Sequence, residues 1–219
     1  MLIYIIGPDG VGKTIQAKLL EKELRIRGIP ASYVWMRWNH KLSLVPLALA
    51  RLLGLSRVKQ LRSGKNVVYH YFNRVKPIAV AYQYALVVDT ALSILFKIKT
   101  RLWSGRSVIC DRSAYDTLVD LMVSTRNLNL LNSLVARLLL QPSRGGTVVM
   151  LMARPDILKS RREDIREDRD LELKTKLYNR LAPSFRVTML NAEEPIAKIH
   201  STLMQIVGGM INEPGQLSG

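Results

Sequence analysis

The chain has a single cysteine, Cys110, in 219 residues. One thiol excludes an internal disulfide framework and a cysteine zinc cluster, so no structural metal is expected and a cytoplasmic setting is favoured. Carboxylates are also scarce, 17 Asp and Glu against 33 Lys and Arg, for a net charge of +16. Such a field attracts polyanions, whether nucleotides, nucleic acid or an anionic surface, without choosing among them. Long clean apolar runs are missing. The stretches at 42–55 and 77–96 are interrupted by Pro, Arg, Gly, Gln or Asp before reaching about 20 residues, so no transmembrane helix is expected. Strand-like sequence starts at Leu2, so no cleavable leader is expected, and neither a repeat nor a low-complexity block is present.

What the chain does have is a core-forming composition, 48% hydrophobic. At this length it suits one α/β domain, expected over 1–208 with a frayed tail at 209–219. Strand and helix patterns alternate. Residues 2–6 are an apolar strand, 13–27 a helix ended by Gly28-Ile29-Pro30, and 31–38 a second strand. A long helix is expected over 77–103, a strand over 106–111 and a second long helix over 113–140. Residues 147–152 and 186–190 read as the fourth and fifth strands, with helices at 171–182 and 196–207. This alternation calls for a parallel sheet covered on both faces.

Between the first strand and helix stands Gly7-Pro8-Asp9-Gly10-Val11-Gly12-Lys13-Thr14, which satisfies G-x-x-x-x-G-K-[ST] at every position. Gly7, Gly10 and Gly12 let backbone N–H groups converge on phosphate oxygens, and the helix starting at Lys13 adds its positive end. Lys13 suits the β- and γ-phosphates of a nucleoside triphosphate, and the Thr14 hydroxyl suits Mg²⁺. An apolar strand ending in Asp111 is the usual setting for a carboxylate that binds Mg²⁺ or orients a neighbour, and Arg112 beside it adds the opposite sign. Tyr115, Asp116 and Asp120 follow in the next helix, where either a helix-end role or a place at the sheet edge is open.

Three stretches carry further candidates. Arg37, between Trp35 and Trp38, lies where an open parallel sheet places ligand contacts, with an ordinary surface arginine as the alternative. Residues 41–76 form a basic, apolar insertion. It reads as a substrate-side or lid helix with a solvated face, with contact to a membrane as the alternative. Its aromatic cluster at 69–74 reads as core in preference to a base-stacking surface. Gln83, Asp89 and Thr90 lie on the helix over 77–103, each either a satisfied core group or a substrate contact. The mixed-charge run at 154–170 reads as an Arg-rich lid closing over phosphates, with a solvated ion-paired helix as the alternative.

The loop with Asp9-Gly10 inside it and Asp111-Arg112 at a strand end resemble the thymidylate kinase family. Ser113 stands where that family usually has Tyr, and Ile15 where it has a second Thr. The likeness extends through the Arg-rich segment, Tyr178 and Leu190-Asn191-Ala192, while residues 41–76 depart from it. The resemblance implies a P-loop NTPase fold with a five-stranded parallel sheet, helices on both faces and a short lid. It implies transfer of the γ-phosphoryl of ATP, with Mg²⁺, to a nucleoside monophosphate, dTMP first among acceptors. Gly7, Gly10, Val11, Gly12, Lys13, Thr14 and Asn191 would then bind the nucleotide, and Thr14 and Asp111 the metal. Asp9 would contact the acceptor sugar, Arg37 and Arg112 its phosphate, with Asp111 and Tyr115 beside them. Val11 is not Arg, so the arginine facing the transferring phosphate is sought among Arg161, Arg162 and Arg166. The family's Arg in the helix before Asp-Arg is replaced around Asp89-Thr90. Another nucleotide or a sugar- or lipid-linked acceptor on the same fold is the first alternative. A nucleic-acid-stimulated ATPase is the second, although the chain carries no nucleic-acid module. Expected partners are small-molecule nucleotides, and a homodimer is compatible with the family; nucleic acid and membrane are not expected.

Overall fold

The apolar run Leu2–Ile6 forms β1, buried along its whole length. Its alternate side chains feed two different cores. Leu2, Tyr4 and Ile6 join the cluster on one face of the sheet, and Ile3 and Ile5 join the cluster on the other. A strand with both faces covered and neighbours on both sides has no polar side, which is why its sequence does not alternate. The computed structural model describes residues 1–36, 40–60, 64 and 66–212.

In chain order the elements are β1, α1 (Lys13–Ile26), β2 (Ala31–Trp35), α2 (Leu44–Leu52), β3 (Ser56–Gln60), β4 (Asn66–His70) and α3 (Lys76–Ile94). A π-helical turn, Leu95–Lys99, joins α3 to α4 (Thr100–Trp103), followed by β5 (Ser107–Asp111), α5 (Ala114–Thr125), α6 (Leu134–Leu140) and β6 (Thr147–Met152). Then come α7 (Pro155–Arg161), α8 (Glu163–Arg166), α9 (Leu171–Leu181), β7 (Val187–Asn191) and α10 (Ile196–Asn212). Five strands pair in the order β2-β5-β1-β6-β7, every pair parallel, with β3 and β4 as a separate antiparallel hairpin. The chain is thus an α/β fold with a five-stranded parallel sheet flanked by helices. Residues of α3, α5, α6 and α9 fill one face, and those of α1 and α10 the other.

Three expectations are corrected. Residues 113–140 are not one helix: Arg126 takes a left-handed φ of 53° and ends α5. Ser133 then caps a new helix by accepting from the Ala136 N–H at 3.3 Å. The basic stretch after α2 is a hairpin rather than a helix, since β3 exposes nearly every residue and gives no 3.6-residue signal. The last helix continues to Asn212, so 209–212 belong to it, and 213–219 lie outside the described residues. Among the described residues one helix, Lys76–Trp103, is by length and composition alone able to cross a membrane, with a mean hydropathy of 1.6 in its apolar window. Half of that window is buried inside the fold.

Candidate functional site

The sheet register brings the ends of three strands together. Ile5 of β1 and Trp35 of β2 both pair with Asp111 at the end of β5. Residues 7–14 therefore turn directly beside Asp111 and Arg112. At Gly7 φ is 137°, and a Cβ there would lie 2.2 Å from the Leu151 carbonyl oxygen on β6. Only glycine can pass so close to a neighbouring strand. Gly12, at φ 98°, is the N-cap of α1, whose first turn holds no acidic residue. The first-turn N–H groups and the helix dipole are thereby left for an anion. The Lys13 ammonium is buried over the turn, donating to the carbonyls of Gly7 at 2.6 Å and Pro8 at 2.7 Å. Val11 is 2% exposed and packs into the core on the α1 side of the sheet.

Asp111 Oδ2 accepts from the Thr14 hydroxyl at 2.5 Å and from the Tyr33 hydroxyl at 2.8 Å. Burial, then the hydrogen bond and charge of Asp111, hold the Tyr33 hydroxyl protonated far above the usual tyrosine range. A hydroxyl and a carboxylate on one spot are hard oxygen donors, a set that fits Mg²⁺ completed by phosphate and water oxygens.

Arg112 takes a left-handed φ of 70°, its N–H donating to the Ile5 carbonyl at 3.2 Å. A non-glycine residue there holds a strained backbone. Its guanidinium is buried, pairs with Asp9 of the turn, and lies 3.7 Å from Asp116. Asp116 is 2% exposed. It closes a reciprocal capping box with Ser113 at the start of α5. Its Oδ1 also accepts from the Tyr178 hydroxyl at 2.7 Å and the Gly7 N–H at 3.4 Å. Burial raises the Asp116 carboxyl, and the charges of Arg112 and Lys13 pull the other way. Of the two roles left open, Asp116 takes the helix-end one and also ties the turn at 7–14 to α5 and α9. Asp120 lines the cleft.

From this corner a cleft of about 990 Å³ runs beneath α2 and the β3–β4 hairpin. Its near end holds Asp9, Lys13, Thr14, Asp111 and Arg112. Its far end is lined by Met36, Leu47, Leu86, Tyr82 and two histidines, His40 and His70. His70 stacks on Phe72 at 5.2 Å, and Phe72 on Tyr82 at 4.4 Å. Burial, then the charges of Arg51 and His40, push the His70 pKa down to about 4. Burial also lowers His40, against the pull of Asp89. Both imidazoles are therefore neutral at pH 7. Asp89 itself is a satisfied core group: its carboxylate accepts from the N–H groups of Lys41, Leu42 and Ser43, all at 2.9 Å, and from the Ser43 hydroxyl at 2.6 Å. Thr90 lines the cleft, and Gln83 is buried. The aromatic cluster divides, Phe72 entering the core while Tyr69 lines the cleft.

The arginines of 154–170 separate. Arg161 donates to the Ala192 carbonyl at 2.7 Å and does not line the cleft, because α7 turns it toward the loop after β7. Arg162 lines the cleft and forms a two-point pair with Asp164 at 3.0 and 2.6 Å. Arg166 is exposed on α8 and stands outside the cleft. Tyr115 is likewise not brought to the cleft: at the second position of α5 it turns under the sheet, edge-on to Tyr4 at 6.4 Å and Phe185 at 5.4 Å. Asn191 lines a separate shallow groove, and its side chain accepts from the Glu193 N–H at 3.0 Å. Arg37 lies outside the described residues.

Arg169 and Tyr33 are the side chains that sequence reasoning passed over. Arg169 lines the cleft 3.9 Å above the Tyr69 ring and donates to the Tyr71 hydroxyl at 2.9 Å. Nothing local distinguishes it from the five other basic residues of its run, since Tyr69 and Tyr71 lie about 100 positions away. Tyr33 had a weak signal, an aromatic in a strand whose end meets the ligand crevice. No protein-family model matches this chain, and no curated protein matches it.

Proposed function

We propose that this protein is an ATP-dependent phosphotransferase of the P-loop NTPase fold, passing the γ-phosphoryl of ATP to a nucleoside monophosphate, with dTMP as the favoured acceptor. The observation carrying this reading is the convergence of a complete phosphate-loop sequence, the buried Lys13 ammonium over it, and the Thr14–Asp111 contact at the mouth of one cleft. The strand order, with β1 central and Asp111 on its neighbour, supports it. The cleft volume, about 990 Å³, suits two adjoining ligands.

In this reading the N–H groups of residues 7–14 and the start of α1 bind the donor phosphates. The Lys13 ammonium exchanges the Gly7 and Pro8 carbonyls for β- and γ-oxygens, so the turn is pre-shaped by the same group that later meets charge. Thr14 and Asp111 would hold Mg²⁺, which neutralises charge on the β- and γ-phosphates when bound. Arg112 and Asp9, already paired, hold the acceptor's phosphate and sugar hydroxyl, orienting its attacking oxygen in line. Arg162 on the 154–170 lid faces the transferring group and helps exclude water. No covalent intermediate is required, because positioning and electrostatics carry phosphoryl transfer. The single, buried Cys110 suits a cytoplasmic setting.

A second reading, the same transfer to a different small-molecule acceptor, is favoured by the far end of the cleft. That end is lined by Met36, Leu47, Tyr82 and Leu86 with neutral His40 and His70. Asp89 is turned away to cap α2, and Arg51 supplies a cation beside His70, a lining not specific to a thymine base. The test is an acceptor panel with labelled ATP, run on the parent chain and on Lys13→Ala. Label transfer to dTMP that Lys13→Ala abolishes supports the first reading. Transfer to another acceptor only would move the conclusion to the second, and unchanged turnover in Lys13→Ala would remove both.

A further inference from the structure

The basic residues are spread along the chain, but the acidic ones are not. Residues 28–110 contain thirteen lysines and arginines and one carboxylate, Asp89. Twelve of the sixteen net charges thus belong to this stretch, and its one acid is buried and committed to the start of α2. The same stretch carries the two most exposed large apolar side chains among the described residues, Leu52 and Trp103. On α2 and just after it, Leu52 is 84% exposed, Val45 69% and Leu53 58%. At the far end of the α3–α4 helix, Phe96 is 60% exposed and Trp103 73%.

These side chains belong to adjoining elements. α3 packs against both α2 and α6, and its Asp89 holds the start of α2. Val80, Tyr84 and Val88, at four-residue spacing, form the stripe that α3 leaves exposed. The π-helical turn continues α3 without a break and carries exposed Leu95 and Phe96 on from that stripe. The β3–β4 hairpin extends the surface with exposed Arg57, Val58 and Lys59.

We infer that the α2–α3 face, with the adjoining hairpin, is a docking surface for an anionic lipid bilayer. Leucine, valine, phenylalanine and tryptophan side chains projecting among lysines and arginines match the acyl boundary and the headgroup charge together. Nucleic acid would satisfy the cations but leave the leucines of α2 unburied. A second copy would bury the leucines, yet a two-fold contact brings one patch against itself. That would set the cations of both copies together around the two buried Asp89 side chains. Only an anionic surface with an apolar interior meets both halves of the patch. Half of the apolar Lys76–Trp103 window stays inside the fold, so the helix lies on the surface and does not cross it.

The test is co-sedimentation of the full chain with vesicles of phosphatidylcholine alone and of phosphatidylcholine mixed with phosphatidylserine. The chain is expected to pellet with the anionic vesicles only and to be released as salt rises. Leu52→Glu is expected to weaken pelleting about tenfold, and Lys59→Glu roughly fivefold. Ile26→Glu, at an exposed α1 position on the other face of the sheet, should pellet like the parent. Thermal melts by circular dichroism establish that each variant is folded, and Val45→Glu stands in for Leu52→Glu should that variant melt early. Equal pelleting with both vesicle types overturns the inference, as does parent-like pelleting of folded Leu52→Glu or absence of vesicle binding. A dimer in sedimentation velocity that Leu52→Glu splits, without lipid binding, would assign the face to a second copy. Salt-sensitive RNA binding without lipid binding would assign it to nucleic acid, and either result overturns the lipid surface.

Discussion

The Thr14 hydroxyl and the Asp111 carboxylate meet at 2.5 Å, where α1 begins and β5 ends. Ninety-seven residues separate them in sequence, and the parallel register of β1 with β5 closes the gap. Asp111→Asn should keep the neighbouring hydroxyls in place while removing the charge that would hold a divalent cation. Its expected effect is a fall of ~10² in ATP turnover, with more Mg²⁺ needed for half-maximal rate. Tyr33→Phe, which removes only the second hydroxyl donor, should change turnover a few-fold. A Mg²⁺ titration of both variants distinguishes them, and a parent-like titration for Asp111→Asn would exclude the metal role.

Gly7 and Gly12 should respond differently to alanine. Both have positive φ, but a Cβ on Gly7 meets the Leu151 carbonyl at 2.2 Å, whereas one on Gly12 meets nothing within 4 Å. Gly12→Ala is expected to lose about 1 kcal/mol of stability from backbone strain alone. Gly7→Ala should lose at least ~3 kcal/mol, because β6 must also shift. Urea unfolding of the two variants checks the order; equal losses would show that the approach to β6 is not rigid.

Asp89 couples acid stability to the start of α2. Burial raises its carboxyl, but the Ser43 hydroxyl and the N–H groups of Lys41, Ser43 and Leu42 outweigh burial and bring it below the ordinary value. A carboxyl depressed in the fold stabilises above the unfolded value, 3.8, and loses that contribution as pH falls through the folded value. The parent's stability should therefore decline as pH drops below about 4, and Asp89→Asn should flatten that part of the decline. At pH 7 the variant is expected to be less stable by ~1–3 kcal/mol. Urea midpoints across acid pH test this, and parallel curves for the two proteins would refute it.

Arg169 links the charged segment after β6 to the hairpin. Its guanidinium lies 3.9 Å over the Tyr69 ring, a contact worth about 1 kcal/mol. Arg169→Ala is expected to loosen the hairpin over the cleft and admit water, raising ATP hydrolysis relative to acceptor phosphorylation. The ratio of free phosphate to phosphorylated acceptor is the measurement. An unchanged ratio would make the contact structural only.

The sequence by itself determined the features made within one strand–turn–helix unit. Leu2–Ile6 had to be a buried strand, residues 7–14 had to turn with glycines, and α1 had to start at Lys13, because these depend on neighbours a few positions away. The apolar run ending in Asp111 was equally legible, and the alternation of elements already called for a parallel sheet. Tertiary structure alone decided what depends on distant partners. The hairpin strands were hidden because β3 has no buried face and its pairing with β4 is set by chain closure. The break at Arg126 was hidden because a left-handed backbone at an arginine is held by its surroundings, including its pair with Asp170 at 2.7 Å. The arginines of 154–170 were indistinguishable in a run of mixed charge until the turns of α7 and α8 aimed each one. Arg161 went to the Ala192 carbonyl, Arg162 to the cleft and Arg166 to the exposed surface. Tyr115, adjacent in sequence to the capping box, went to the core because one residue along a helix turns a side chain by about 100°.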